Sequence, residues 1–174
     1  FGGLGILRSL DSGQTWEVLN EANGLEMLLF GSLYMHPENP DLLLAAAGHE
    51  MGPVQIAYLQ SIGHSPAGIY RTQDGGDTWM HVLEPPVERV NEEFSAVEMC
   101  PSNPSVAYAG SAKAIYRSLD AGLTWELRAG GTANTWGPPG VRAGWPIDLT
   151  KAAGTDYRDF AKAHVVAGNL IASG

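Results

Sequence analysis

The chain has 174 residues, 44% of them apolar, which is enough for one globular domain with a hydrophobic core. Nineteen acidic and ten basic residues give a net charge of −9, and no basic patch of the kind that binds phosphate backbones is visible. Nucleic acid is therefore not expected as a partner, and no apolar stretch is long enough to cross a bilayer. The single cysteine, Cys100, excludes an intrachain disulfide, and we expect it to be a small buried apolar residue.

An eight-residue pattern, [ST]-x-D-x-G-x-T-W, occurs at residues 9–16, 72–79 and 118–125, each time after an apolar residue and an arginine. We call these segments the octapeptide turns. The pattern predicts a β-hairpin turn, because Asp accepts backbone N–H bonds two or three residues on and Gly adopts positive φ without strain. Thr begins the return strand, and Trp is expected to bury its ring beside it. This structural role is assigned to Asp11, Gly13, Trp16, Asp74, Gly76, Trp79, Asp120, Gly122 and Trp125.

A second repeat lies between the octapeptide turns. Residues 36–40 and 100–104 each contain Pro-x-Asn-Pro and precede an apolar run, so each marks a turn between two strands. Four antiparallel strands in each period predict an all-β fold, the β-propeller built of four-stranded blades. In the last period the predicted strands are A (Ser95–Met99), B (Val106–Gly110), C (Ala114–Arg117) and D (Trp125–Arg128).

The repeats predict a single propeller domain with about three blade-equivalents. Breaks between blades are expected near residues 20–28, 84–94 and 129–144, and the longer first interval predicts an insertion at residues 48–68. The first eight residues resemble a strand C. The last six resemble another strand C that reaches Ser173, the first residue of a fourth octapeptide. We therefore expect the chain to begin and end within blades and to be part of a larger propeller.

These turns resemble those of the Asp-box (BNR-repeat) propellers, which include sialidases, xyloglucanase-type glycoside hydrolases, sortilin-type receptor domains and a photosystem II assembly factor. The resemblance implies that the Asp boxes are structural and does not select one function. The Arg-Ile-Pro motif of sialidases is absent, and one cysteine does not fit the cysteine-rich module that follows sortilin-type domains. Xyloglucanase-type enzymes use two carboxylates across a cleft, and no motif here places either, so no catalytic residue is assigned.

Antiparallel connectivity predicts where a ligand binds. It places the octapeptide and Pro-x-Asn-Pro turns at one face of the propeller and the B-to-C and D-to-A connections at the other, which we call the loop face. The loop-face connections are predicted at residues 48–68, 84–93 and 129–144, and they are long and differ from one another. Variable loops on a regular scaffold commonly carry binding sites, so we expect a protein or glycan ligand at this face.

The predicted ligand-binding side chains are Trp136, Arg142, Trp145 and Asp148. Two indole rings and a guanidinium among Pro and Gly residues fit a sugar-stacking platform with a hydrogen-bonding fork. Alternatively, both Trp residues fill gaps between blades and Arg142 pairs with a carboxylate. Asp148 either faces the central channel as an acid or ligand, or caps a turn.

Other polar groups predict no chemistry. Glu88, Glu92 and Glu93 form an acidic cluster that we interpret as a solvated loop rather than a cation site. The five histidines lack metal-ligand spacing, and no zinc-protease, phosphate-loop or nucleophile-elbow motif occurs, so no metal or cofactor is predicted.

The leading hypothesis is a non-catalytic recognition or scaffold module for a protein or glycan ligand, located outside the cytoplasm, in the extracellular space or periplasm. The alternative is part of a glycoside hydrolase, xyloglucanase-like in the first instance and sialidase-like in the second. Its acidic pair would then be divided between this chain and further blades.

Overall fold

The structure, a computed structural model, describes residues 5–48, 53–63, 65–86, 92–111 and 113–130. Ten strands in this part of the chain form three antiparallel sheets. The first sheet contains β1 (Ile6–Arg8) and β2 (Glu17–Leu19). The second contains β3 (Phe30–Met35), β4 (Leu43–Ala47), β5 (Gly68–Thr72) and β6 (Met80–Leu83). The third contains β7 (Phe94–Cys100), β8 (Asn103–Ser111), β9 (Ala114–Ser118) and β10 (Glu126–Gly130).

The second and third sheets have the same topology. In each of them four consecutive strands pair with their sequence neighbours, so that the spatial order follows the chain from β3 to β6 and from β7 to β10. Every neighbouring pair is antiparallel. The prediction of four antiparallel strands per repeat is therefore confirmed, and β1 and β2 pair around the first octapeptide turn as β5 and β6 do around the second.

The hydrophobic core consists of two layers, one between each pair of successive sheets. The second sheet contributes to both layers, because successive side chains of β4 point to opposite sides of the sheet. Ala45 packs in the first layer, while Leu44 and Ala46 pack in the second. All five residues of β4 are buried, because both sides of the sheet are covered. From the first sheet Ile6 and Leu19 enter the first layer.

The innermost strands of the second and third sheets approach closely. A Cβ on Gly31 of β3 would lie 2.8 Å from the Cα of Ser95 in β7, so only glycine permits this approach without displacement of backbone. The Ser32 hydroxyl donates to the Val97 carbonyl at 3.3 Å across the same gap. These contacts place β3 and β7 side by side.

Each octapeptide turn is held by the same side-chain hydrogen bonds. In the third turn the Asp120 carboxylate accepts from the Thr124 backbone N–H at 2.8 Å, the Thr124 hydroxyl at 2.5 Å and the Ser118 hydroxyl at 2.7 Å. Asp11 and Asp74 make the same set of bonds. The principal backbone donor lies four residues on rather than the expected two or three, because two successive left-handed residues bring the Thr back to the Asp.

The octapeptide Trp residues differ in burial. Trp79 is 5% exposed and packs in the first core layer, and Trp125 packs against the second. The expectation that each Trp buries its ring is wrong for Trp16, which is 61% exposed. The reason is positional: within the described part of the chain, no sheet lies on the outer side of the first sheet.

Two helices in the described part of the chain interrupt the predicted all-β pattern. The insertion between β4 and β5 contains α1 (Pro53–Ile62), and the connection from β2 to β3 contains a short 3-10 helix (Glu21–Asn23). Pro at the first position of α1 suits a helix start, because its missing N–H would have no intrahelical partner there. Neither helix of the described residues has the length and apolar character needed to cross a membrane.

Acid is expected to destabilise the fold through the octapeptide aspartates. Hydrogen bonds from Thr72 and Thr78 lower the pKa of Asp74 to about 2, and those from Thr15 lower the pKa of Asp11 to about 2. A lowered folded-state pKa contributes stability that is complete above the unfolded value of 3.8 and is lost as the pH falls towards 2. We expect the free energy of unfolding to decrease over this window in urea titrations, and less steeply in Asp74→Asn. Identical pH slopes for the two proteins would contradict the assignment.

Candidate functional site

The two faces of the sheets are separated as the connectivity predicts. The Gly75 N–H donates to the Asp41 carbonyl at 2.9 Å, and the Ala121 N–H donates to the Ser105 carbonyl at 2.8 Å. These bonds join the second and third octapeptide turns to the A-to-B turns of their own sheets. The B-to-C and D-to-A connections lie at the opposite ends of the strands, on the loop face, and the B-to-C connection of the third sheet is a short hairpin between Ser111 and Ala114.

The predicted ligand-binding residues Trp136, Arg142, Trp145 and Asp148 lie outside the described residues, as does Glu88. The nine octapeptide residues lie on the face opposite the loops and hold the hairpins. The described loop-face residues of the second and third sheets therefore supply the candidate site.

A stacked pair of rings lies beneath the loop face of the second sheet. Tyr70 on β5 and His81 on β6 are cross-strand neighbours whose rings are 4.4 Å apart and inclined by only 4°. The Tyr70 hydroxyl donates to the Pro66 carbonyl at 2.7 Å, and the His81 Nε2 atom lies 3.1 Å from the Ala67 carbonyl oxygen. Both rings are thus fixed by the backbone that leads from α1 into β5.

Two carboxylates accompany these rings. The Ser65 N–H donates to the Glu84 carboxylate at 3.0 Å, which joins the B-to-C and D-to-A connections of the second sheet. The pKa of Tyr70 is raised by burial and, to a smaller extent, by the charges of Glu26 and Glu84. Both glutamates are exposed, whereas Tyr70 is fully buried. At this place the loop face therefore presents the carboxylate oxygens of Glu26 and Glu84 as hydrogen-bond acceptors, above the neutral and fixed phenol of Tyr70.

The third sheet uses a buried carboxyl group at the corresponding place. Glu92 is fully buried; it accepts from the Ser111 hydroxyl, and from the Tyr116 hydroxyl at 3.4 Å. The Ser111 oxygen accepts in turn from the Ala114 N–H at 2.9 Å. The interpretation of Glu92 as part of a solvated acidic loop is therefore wrong, because this side chain joins the D-to-A connection to the β8–β9 hairpin.

The second and third sheets thus share a frame of Phe, Tyr and carboxylate. Ring centroids of Phe30 and Tyr70 are 6.4 Å apart, and those of Phe94 and Tyr116 are 5.6 Å apart. Sequence reasoning missed this frame, because the acidic residues Glu26 and Glu92 stand at different distances from the following Phe. An alignment of strand C with strand D around each octapeptide turn would have predicted that Tyr70 and His81 are cross-strand neighbours.

One side of α1 is exposed and apolar. Tyr58 is 62% exposed, and Val54 and Ile62, one helical turn away in each direction, are exposed as well. The helix contains no charged residue. An accessible aromatic ring is therefore carried on a helix within the B-to-C connection of the second sheet.

The inner strands carry a second set of titratable groups. Partial burial raises the pKa of Glu98 on β7 to about 7. The pKa of Tyr34 on β3 is raised by burial and, to a smaller extent, by the charge of Glu98. Cys100 is buried, as the sequence predicts, with its sulfur 3.2 Å from the Ser102 hydroxyl oxygen. In the described ranges no three metal-ligating side chains come together.

Comparison with known proteins places the fold. No protein-family model and no curated protein sequence matches the chain. Among solved structures, an ancestral GH74 enzyme matches 74% of the chain with TM-score 0.55 and 22% identity. A GH74 enzyme from Niastella koreensis matches 75% with TM-score 0.51 and 21% identity. A GH74 xyloglucanase from Xanthomonas campestris matches 70% with TM-score 0.48 and 22% identity.

The described sheets are blades of a β-propeller. The four antiparallel strands of the second and third sheets, the layered packing between sheets and the first two structural matches agree on this fold. The chain spans only 16% and 19% of the length of those two structures, so the agreement concerns a small part of each of them.

Proposed function

We propose that this chain belongs to an extracytoplasmic, non-catalytic Asp-box propeller that recognises a neutral glycan at its loop face. The observation that carries the proposal is the exposed Tyr58 ring on the uncharged helix α1, on the same face as the carboxylates of Glu26 and Glu84. The likeness to GH74 enzymes supports a glycan over a protein ligand by analogy of fold.

The chemistry of these groups matches a sugar ring. A pyranose offers an apolar C–H surface that stacks on an aromatic ring, and hydroxyl groups that donate to carboxylate oxygens. Glu26 and Glu84, together with the net charge of −9, disfavour acidic polysaccharides by repulsion. A neutral polysaccharide is therefore the preferred ligand class.

Tyr58→Ala is expected to weaken binding of a neutral β-glucan oligosaccharide to the intact protein by about tenfold, because the stacking surface is removed. Tyr58→Phe should bind like the wild type, since the ring is retained. Leu119→Ala supplies a control of similar exposure on the opposite face. Isothermal titration calorimetry gives the affinities and thermal unfolding checks the fold. Unchanged affinity in Tyr58→Ala would contradict the proposal.

The alternative, part of a glycoside hydrolase, is favoured by the GH74 matches and by Glu98. With a pKa of about 7, about half of this carboxyl group is protonated at neutral pH, which is the form that a general acid requires. Glycoside hydrolysis also needs a second carboxylate, about 5–10 Å away depending on mechanism. Hydrolysis of a β-glucan by the intact protein, abolished by Glu98→Gln or by Asp148→Asn, would establish this alternative. Binding without hydrolysis supports the recognition module.

A further inference from the structure

The connection from β2 to β3 contains a pair of residues with a specific chemical reactivity. Of the seven asparagines in the chain, only Asn23 is followed by glycine. In an Asn-Gly pair the backbone nitrogen of the glycine can attack the asparagine carboxamide, because glycine has no Cβ to hinder the approach. Asn23 is half-buried and Gly24 is exposed, so water reaches this peptide bond. The pair is therefore a candidate site of spontaneous deamidation.

The fold accounts for both residues of the pair. Gly24 ends the short 3-10 helix with a φ of 88°, and a Cβ there would lie 2.4 Å from the Trp79 carbonyl oxygen, so glycine alone fits. The Asn23 side-chain oxygen accepts from the Asn20 N–H at 3.0 Å, which closes the start of the helix. The labile pair is thus a consequence of the helix and of its contact with Trp79.

Three hydrogen bonds hold Asn23, and we call them the Asn23 clasp. The first is the bond from the Asn20 N–H to the side-chain oxygen. The side-chain nitrogen donates to the Asp77 carbonyl at 3.0 Å, and the Asn23 carbonyl accepts from the Trp79 N–H at 2.7 Å. The last two bonds join the connection from β2 to β3 to the end of the second octapeptide turn.

The nitrogen that would attack is also held. The Gly24 N–H donates to the Glu21 carbonyl at 3.0 Å, and the Asn23 carboxamide is fixed at both its oxygen and its nitrogen. Ring closure joins the Gly24 nitrogen to Cγ of Asn23, so both groups have to leave these partners and turn towards each other. Deamidation therefore requires a local opening of residues 20–25.

We propose that Asn23 is a modification site, at which local opening of residues 20–25 admits deamidation and the product prevents the clasp from closing again. In the opened segment a bond forms between the Gly24 nitrogen and Cγ, the Cγ–Nδ2 bond breaks, and the carboxamide nitrogen leaves as ammonia with the Gly24 amide proton. Water then opens the succinimide at either carbonyl and gives aspartate or isoaspartate. Neither product has the nitrogen that donates to the Asp77 carbonyl, and isoaspartate also lengthens the main chain next to the carbonyl that Trp79 binds.

Peptide mapping by mass spectrometry measures the conversion of Asn23 after incubation of the protein at mildly alkaline pH. We expect the reaction to be at least about tenfold slower in the folded protein than in urea. Asn20→Ala removes the cap bond to the Ala22 N–H and should accelerate the reaction in the folded protein about fivefold. Gly13→Ala destabilises the first octapeptide turn and should leave the rate unchanged, because the opening is local. Both variants should react like the wild type in urea.

Three outcomes overturn the proposal. Equal rates in the folded protein and in urea would show that the clasp gives no protection. Equal acceleration in Asn20→Ala and Gly13→Ala would assign the reaction to global unfolding. Conversion that occurs in urea but in neither the folded wild type nor folded Asn20→Ala would show that the folded protein is not modified at Asn23.

Thermal unfolding tests the effect of the product independently. Asn23→Asp replaces the nitrogen that donates to the Asp77 carbonyl by a carboxylate oxygen, so Tm should fall by more than about 2 °C. Asn20→Asp is the matched control, because it makes the same chemical change but keeps the oxygen that accepts from the Ala22 N–H, and its Tm should equal that of the wild type. Equal Tm values in the two variants would overturn the claim that the product keeps the clasp open.

Discussion

Gly122→Ala is expected to lower the free energy of unfolding by about 3 kcal/mol, and Gly13→Ala by about 1 kcal/mol. The two glycines occupy the same position in the third and first octapeptide turns, with φ of 83° and 85°. The backbone strain added by a side chain is therefore the same at both positions. What differs is the space that a Cβ would enter.

Contacts between blades account for the difference. A Cβ on Gly122 would lie 2.5 Å from Cδ2 of Leu44, whereas at Gly13 the nearest atom is Cζ2 of Trp16 at 3.7 Å. Leu44 is fully buried in the second core layer, so it cannot move away without disturbing its neighbours. Overpacking of a closed core costs about 1–3 kcal/mol in addition to the strain.

Urea unfolding of both variants measures these costs, and the double variant Gly122→Ala/Leu44→Val separates the two contributions. Shortening Leu44 should recover part of the loss at Gly122, because it makes room for the added methyl group. It should recover nothing when combined with Gly13→Ala. Equal losses of unfolding free energy in the two single variants would show that backbone strain alone determines the cost, and would refute the packing argument.

Local chemistry made the hairpins predictable. Asp, Gly and Thr at fixed spacing encode a turn whose bonds lie within eight residues, so three copies suffice to recognise it. The insertion between β4 and β5 was located by the unequal intervals, but its helix was not predicted, because an uncharged segment such as 53–62 lacks the amphipathic pattern that indicates a helix.

The burial of individual residues could not be predicted, because it depends on contacts between residues that are distant in the sequence. Glu92 lies in an acidic run, and its burial follows only from the hairpin that brings Ser111 and Tyr116 to it. The same holds for Gly122, whose sequence position matches that of Gly13 although only one of them contacts a neighbouring blade. The repeats predict which residues occupy equivalent positions. Whether a residue at such a position is buried depends on the neighbouring blade.

Arg71→Met is expected to lower the free energy of unfolding by about 2–3 kcal/mol. Arg71 is 3% exposed, and burial lowers the pKa of its guanidinium while the charge of Asp120 raises it. Removal of the guanidinium leaves the Ala121 carbonyl without its donor inside the interface. Gln73 also loses a partner, since its amide oxygen, turned towards the guanidinium, accepts from both Nη atoms at 2.8 Å.

Two further variants separate geometry from charge. Arg71→Lys keeps the charge but lacks the planar fork, so it should lose nearly as much stability as Arg71→Met. Arg8→Met should cost less, about 1 kcal/mol. Arg8 also donates to a turn carbonyl, that of Gly75, but it is less buried than Arg71, and its other two partners are the exposed carboxylates of Glu17 and Asp77, which water can solvate. Full stability in Arg71→Lys would mean that charge alone holds the interface. Since the Ala121 carbonyl is neutral and fixed by a left-handed backbone, we expect the direction of the donor, rather than its charge, to join the blades.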